Sequence, residues 1–171
     1  MIRELVLGCG NYPYKKIYAE SKEYVNPTRV DIDPDCNPDI ILDLNTNSLP
    51  FEDSSFDEVH MYEVLEHLGT QGDYKAFFEF FSEVARVLRP DGLFIASVPA
   101  MNSPWVWGDP GHTRAIPEEM LVFLDQAEYT AQVGKTPMTD YRGIYKADFK
   151  RVHLQEDHGV FFFVLKNIKN G

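Results

Sequence analysis

Cysteine occurs only twice in the 171 residues, at Cys9 and Cys36. Two cysteines make neither a disulfide framework nor a zinc-ligand set, and two free thiols suit a reducing compartment. No apolar run approaches the roughly 20 residues of a membrane-spanning helix, and the chain opens without the long apolar stretch of a signal peptide. The expectation is a cytoplasmic protein with no membrane partner. Internal repeats, low-complexity tracts and linkers are also missing, so residues 1–171 are expected to form a single domain of ordinary size. With 44% hydrophobic and 13% aromatic residues, such a domain can fill its core, which removes disordered and collagen-like classes.

Positive charge is absent from one long window. Between Val30 and Tyr74 lie twelve acidic residues and no Lys or Arg, a charge of −12, while the remaining fifteen acids and sixteen bases nearly cancel. The net charge of −11 is therefore local. From Lys135 onward seven bases face four acids, so an anionic acceptor stays open and a nucleic-acid partner is not excluded, although nothing in the sequence indicates one.

Apolar periodicity sets the order of elements. Ile2 to Leu7 reads as a buried strand running into Gly8-Cys9-Gly10, followed by strands at Thr28 to Ile32, Asp39 to Leu44 and Phe56 to Met61. Thr70 and Asp73 resemble a capping box, and Phe77, Phe80, Phe81, Val84 and Leu88 recur at helical spacing. Arg89-Pro90-Asp91-Gly92 ends that helix, and Leu93 to Val98 is a fifth strand, so helix and strand alternate as a parallel sheet requires. Pro117-Glu118-Glu119 reads as the first turn of a short helix. Asp157-His158-Gly159 turns a β-hairpin whose first strand is polar and suits an edge, whereas Val160 to Leu165 is continuously apolar and expected to be buried on both faces.

Asp31 follows Gly10 by 21 residues, pairing a glycine turn at the end of the first strand with a carboxylate at the end of the second. Glycines let a ligand approach the backbone, and the carboxylate can accept hydrogen bonds from two ribose hydroxyls. A strand-ending turn would read the same way, and Asp33 competes with Asp31. A dinucleotide site, and with it a nicotinamide-dependent oxidoreductase, wants a third glycine and a long helix facing the pyrophosphate. Pro13 and the short stretch before the second strand leave that helix little room. A nucleoside ligand without phosphates does not need it.

Six blocks then occur in one order and spacing from residue 5 to about 98: Leu7-Gly8-Cys9-Gly10, Val30-Asp31-Ile32-Asp33-Pro34, Asp43-Leu44 with Leu49-Pro50-Phe51, Ser55 to Val59, Val64-Leu65-Glu66-His67-Leu68, and Val87 to Gly92. Together they resemble class I S-adenosylmethionine (AdoMet)-dependent methyltransferases, in particular small type-11-like domains of phage and bacteria. The resemblance implies an α/β, Rossmann-like fold with a mostly parallel seven-stranded sheet and a C-terminal antiparallel hairpin. It implies that Gly8 and Gly10 pack against the methionine part of AdoMet and that Asp31 holds the ribose. Ile32 would lie on the adenine face, Asp43 and Leu44 at the adenine edge, and the backbone at Tyr62 and Glu63 near the methionine amino group.

Methyl transfer from a sulfonium is a direct displacement, so alignment of an acceptor and, for oxygen, removal of a proton are the enzyme's tasks. The acceptor is expected over the fourth and fifth strands, beneath the irregular segment from Pro99 to Arg114, in which Asp109 and His112 are the candidate oriented base and Trp105 or Trp107 would wall the pocket. His67 reads as structural. No metal is expected: His60, His67 and His112 lack ligand-like spacing, and no carboxylate set for Mg²⁺ stands out. The acceptor is an unidentified small molecule, sugar or polymer-linked group methylated at O or N. Base-methylating routes do not fit, since Met61-Tyr62-Glu63-Val64 stands where amino-methylating DNA enzymes have Asp/Asn-Pro-Pro-Tyr/Phe, and neither cysteine follows a proline. The chain starts at the first strand, without the family's lid helices, so the cofactor site is expected to be open or closed by a partner subunit such as a second copy. A non-catalytic AdoMet- or nucleoside-binding module with an assembly or regulatory role is the alternative.

Overall fold

A computed structural model describes residues 2–17, 21–46 and 48–169. Among them, β1 (Glu4–Leu7), β2 (Thr28–Asp31), β3 (Ile40–Ile41), β4 (Phe56–Tyr62), β5 (Leu88–Pro99), β6 (Phe149–Asp157) and β7 (Val160–Asn167) form one sheet in the order β3-β2-β1-β4-β5-β7-β6. The first five run parallel, and β7 enters antiparallel between β5 and β6. This is the mostly parallel, seven-stranded α/β sheet with a terminal hairpin that the sequence predicts. The third strand is shorter than expected, because Asp39 and Asp43 turn their carboxylates onto the Arg29 and Asn45 amides at either end.

The sheet's two faces are built differently. Period-two alternation puts Leu5, Leu7, Val59 and Met61 on one face, where they join the apolar core. Helix α1 (Tyr74–Val87) covers that face with Phe77, Phe78, Phe81, Val84, Ala85 and Val87, each large side chain contributing about 1.5–3 kcal/mol by leaving water. Phe78 completes the buried stripe and Phe80 is only partly covered, because Tyr145, from a later segment, stacks on Phe78 at 4.9 Å between centroids. The helix also starts later than Thr70: Asp73 is its cap and accepts from the Ala76 amide at 3.1 Å. Left-handed Gly72, at φ +89°, separates Thr70 from the helix.

On the opposite face, Glu4 from β1 and Glu58, His60 and Tyr62 from β4 line up. Lys15 reaches in to pair with Glu4 and, at 3.2 Å, with Glu58. His60 is fully buried, with Nε2 at 2.9 Å from Glu58 and Nδ1 at 3.0 Å from the Tyr62 hydroxyl. Burial depresses the His60 pKa, so the neutral ring donates from Nε2 and accepts the tyrosine proton at Nδ1. Among the described residues, 11–17 and 21–27 contain no helix and only the Tyr14–Glu23 bridge. A buried ionic network thus packs this face where a long first helix has no room.

Helix α1 passes into β5 without a loop. Asn167 Nδ2, buried at the end of β7, donates to the carbonyls of Ala85, Leu88 and Arg89 at 3.0–3.2 Å, satisfying carbonyls that a helix end leaves unpaired. Arg89 to Gly92, expected to be a break between elements, instead form an irregularity inside β5, with Asp91 left-handed at φ +62°. Beyond β5 come α2 (Trp105–Gly108), α3 (Glu118–Val122) and α4 (Gln126–Gln132). The expected short helix at Pro117 is α3; α4 carries no sequence prediction. His158 and Gly159, at φ +47° and +77°, turn the β6–β7 hairpin, and β6 is the exposed polar edge. Most of β7 is buried, with Val160 and Phe162 half-covered. No helix of the described residues is long and apolar enough to cross a membrane.

The His60 hydrogen bond, with Lys15 nearby, holds the Glu58 carboxyl down from 4.5 to about 2. Its folded pKa lies below the unfolded one, so the stability it contributes is complete above about pH 4.5 and is lost as pH falls toward 2. Urea unfolding across this range should therefore show a stability gap between wild type and Glu58→Gln that is widest near neutrality and narrows below pH 4.5.

Candidate active site

At the C-terminal ends of β1, β2 and β4 the chain leaves the sheet in three sharp turns. Gly8 and Gly10 are left-handed, at φ +66° and +48°, and the amides of Gly8 and Cys9 both donate to the Val30 carbonyl at 2.9 and 3.0 Å. After β4, Glu63 is left-handed as well, at φ +56°. Its amide donates to the Ser97 carbonyl at 2.8 Å, and its carboxylate accepts the Ser97 hydroxyl at 2.6 Å. Between these turns opens a cleft of about 780 Å³, inside the range of roughly 300–1,000 Å³ usual for small-molecule sites.

All eight residues assigned to the cofactor from the sequence line this cleft: Gly8, Gly10, Asp31, Ile32, Asp43, Leu44, Tyr62 and Glu63. Asp31 accepts from the Gly10 amide at 2.8 Å and from the Asp33 amide at 3.0 Å, so it fixes both turns while facing the cleft. Asp33 is engaged elsewhere, capping the turn Pro34–Cys36 through the Asp35 amide, and lies outside the lining. Ile32 is 63% exposed, an uncovered apolar side chain on the cleft. Asp43 accepts from both nitrogens of Asn45. The Tyr62 hydroxyl is tied back to His60, and burial pushes its pKa up to about 12, which leaves it protonated.

The expected base does not assemble. Asp109 turns its carboxylate onto the Gly111 amide at 2.7 Å, and His112 meets Asp109 only through the main chain. The imidazole, 7% exposed, has Nδ1 at 3.3 Å from the Val106 carbonyl and Nε2 at 3.9 Å from Glu66. Neither residue lines the cleft. Trp105 and Trp107 do not wall it either; both are largely exposed on α2. The tight Asp109 to His112 turn consumes the groups that spacing alone would have paired with each other.

His67, read from sequence as structural, lines the cleft with Nδ1 at 3.0 Å from the Gly111 carbonyl. Its neighbour Glu66 is 2% exposed, and neither carboxylate oxygen has a hydrogen-bond partner. Desolvation pushes that carboxyl up to about 8. Adjacent Glu-His after the fourth strand is a visible motif, but His112 lies 45 residues further on, and no periodicity links them.

Strand order, paired glycine turns and a strand-end carboxylate on one cleft define the class I methyltransferase fold. The profile of a family described as a methyltransferase domain matches residues 5–96, more than half of the chain, and the chain belongs to that family. A probable S-adenosylmethionine-dependent methyltransferase of Mycolicibacterium smegmatis is 44% identical over 96 residues, covering 52% of this chain and 34% of its own length; the chain thus spans about a third of that relative. Two solved structures share the fold at 15% identity. A SAM-dependent methyltransferase from Archaeoglobus fulgidus matches 96% of this chain and 86% of its own, with a TM-score of 0.59. The 1,6-didemethyltoxoflavin-N1-methyltransferase of Burkholderia thailandensis, solved with S-adenosylhomocysteine, matches 98% and 72%, with a TM-score of 0.58.

The Gly8 turn admits no side chain. A Cβ there would lie 2.3 Å from Val64 Cγ2 and 2.9 Å from Cγ1, and β-branched Val64 cannot swing aside cheaply. Gly8→Ala should cost about 2–4 kcal/mol in chemical unfolding, from the left-handed backbone and the overlap together. Adding Val64→Ala should relieve the overlap and leave the backbone part, about 1–2 kcal/mol.

Proposed function

We propose that the protein transfers the methyl group of AdoMet to an acceptor oxygen or nitrogen by direct displacement, with residues 1–171 working as one unit. The observation that carries this reading is Asp31, held by the Gly10 and Asp33 amides on a cleft that Gly8, Gly10, Ile32, Asp43, Leu44, Tyr62 and Glu63 also line. Asp31 takes the ribose hydroxyls, and Ile32 supplies an apolar face for adenine, with Asp43 and the Leu44 amide at its edge. A side chain at Gly10 would meet nothing within 4 Å, so that turn presents bare backbone to the methionine moiety. The Tyr62 to Glu63 backbone meets its amino group, in a region whose carboxylates complement the cofactor's sulfonium and ammonium.

The sulfonium supplies the reactive methyl group; the chain's own task is to hold it in line with an acceptor and to keep water away. The acceptor, a small molecule, sugar or polymer-linked group, approaches from the side of His67. A second reading, a cofactor-binding module without turnover, draws support from the Asp109–His112 pair that does not form.

Calorimetric titration with AdoMet and S-adenosylhomocysteine tests the cleft, and absence of binding to both would sink either reading. Binding with no turnover across a panel of alcohol, amine and sugar acceptors would favour the module. Asp31→Ala should weaken AdoMet about tenfold, the roughly 1.4 kcal/mol of hydrogen bonds to a charged group; unchanged affinity would move the ribose to Asp33.

A further inference from the structure

Two clusters of carboxylates and histidines lie within metal-binding reach among the described residues, and they differ in one respect. Glu4, Glu58 and His60 form the first, but its centre already holds a cation, the ammonium of Lys15. Glu66, His67 and His112 form the second, with one donor atom from each within 4.8 Å of the others. Among the described residues, no Lys or Arg lies within 4.0 Å of Glu66.

The hydrogen bonds around this second cluster select one tautomer for each ring. A carbonyl only accepts, so the Gly111 carbonyl at 3.0 Å fixes the proton of His67 on Nδ1, and the Val106 carbonyl at 3.3 Å does the same for His112. Both Nε2 lone pairs are left free. This is the outer-shell arrangement in which a metal-ligating imidazole donates its other N–H to a backbone carbonyl. The rings stand edge to face with centroids 4.6 Å apart, and Nε2 of His112 is 3.9 Å from Glu66 Oε1. That separation is too long for a hydrogen bond and leaves a buried carboxylate with two unpartnered oxygens. An ion between them would satisfy the carboxylate and both lone pairs at once.

We propose that Glu66, His67 and His112 bind a divalent transition ion of the Zn²⁺, Fe²⁺ or Mn²⁺ class through one carboxylate and two Nε2 atoms. Two imidazoles and a carboxylate match the donor preference of these ions rather than of Mg²⁺ or Ca²⁺. Three protein ligands leave a coordination position open. His67 is part of the cleft wall, so the ion lies beside the cleft, where an oxygen acceptor can take the open position. That last consequence rests on the methyl-transfer reading; the metal site itself does not.

Co²⁺, a spectroscopic substitute for these ions, gives the test without AdoMet or an acceptor. Titrating the tag-free, metal-stripped full chain with Co²⁺ should produce a saturable visible ligand-field spectrum at one equivalent, displaced by Zn²⁺ and unchanged in a Cys9→Ser/Cys36→Ser variant. Glu66→Gln and His112→Ala should each weaken binding tenfold or more while far-ultraviolet circular dichroism stays native. Should either buried change fail to fold, His67→Ala on the cleft wall gives the same readout. No saturable Co²⁺ spectrum in wild type, retention of wild-type affinity in folded ligand variants, or loss of the spectrum in the cysteine variant overturns the site. AdoMet titration of the same preparations separates that failure from failure of the cofactor reading.

Discussion

Everything at the functional end of this molecule depends on how closely the turn after β1 approaches the turn after β4. Gly8 lies so near Val64 that even a methyl group would overlap it, and both turns are held in left-handed backbone, at Gly8, Gly10 and Glu63. The amides of Gly8 and Cys9 share the Val30 carbonyl, while Ser97 anchors Glu63 through main chain and side chain. These contacts fix the cleft walls independently of any ligand. A preorganised cleft of this kind spends little of a ligand's binding energy on ordering the protein.

The sheet beneath the cleft solves its burial problem in two chemically opposite ways. Against α1 it presents leucine, valine and phenylalanine, and the aromatic rings of Phe81, Phe94 and Phe163 pack edge-on or tilted across the interface. On the other face the Lys15 network closes over Glu4, Glu58, His60 and Tyr62. A buried charge is tolerable only when paired and hydrogen-bonded, and here each member finds a partner. Glu66 meets burial differently: it lies beside two histidines with no hydrogen-bond partner on either oxygen, and desolvation pushes its carboxyl up to about 8.

The acidic window from Val30 to Tyr74 resolves into distinct uses once folded. Asp31, Asp43 and Glu63 line the cleft. Asp53 and Asp57 bind Arg86, Arg89 and Arg3, basic residues from outside the window. Glu58 is neutralised by Lys15 and joined to His60. The sequence-level charge of −12 is therefore no uniform field, since much of it is compensated by arginines and lysines that only the fold brings near.

Local information was enough for the parts whose physics is local. Alternation of apolar residues marked the strands, three- and four-residue spacing marked α1, and glycines followed 21 residues later by a strand-end aspartate marked two walls of the cleft. Each of these depends on neighbours along the chain or on the fixed geometry of consecutive parallel strands. Boundaries were less legible where a distant residue decides them: Asn167 closes the end of α1, and Tyr145 chooses Phe78 over Phe80 for the buried face. The pairing of Asp109 with His112 looked plausible by spacing but failed, because a tight turn satisfies Asp109 first. His112 meets Glu66 and His67 instead, a contact spanning 45 residues that only the packing of the segment after β5 against the turn after β4 could create.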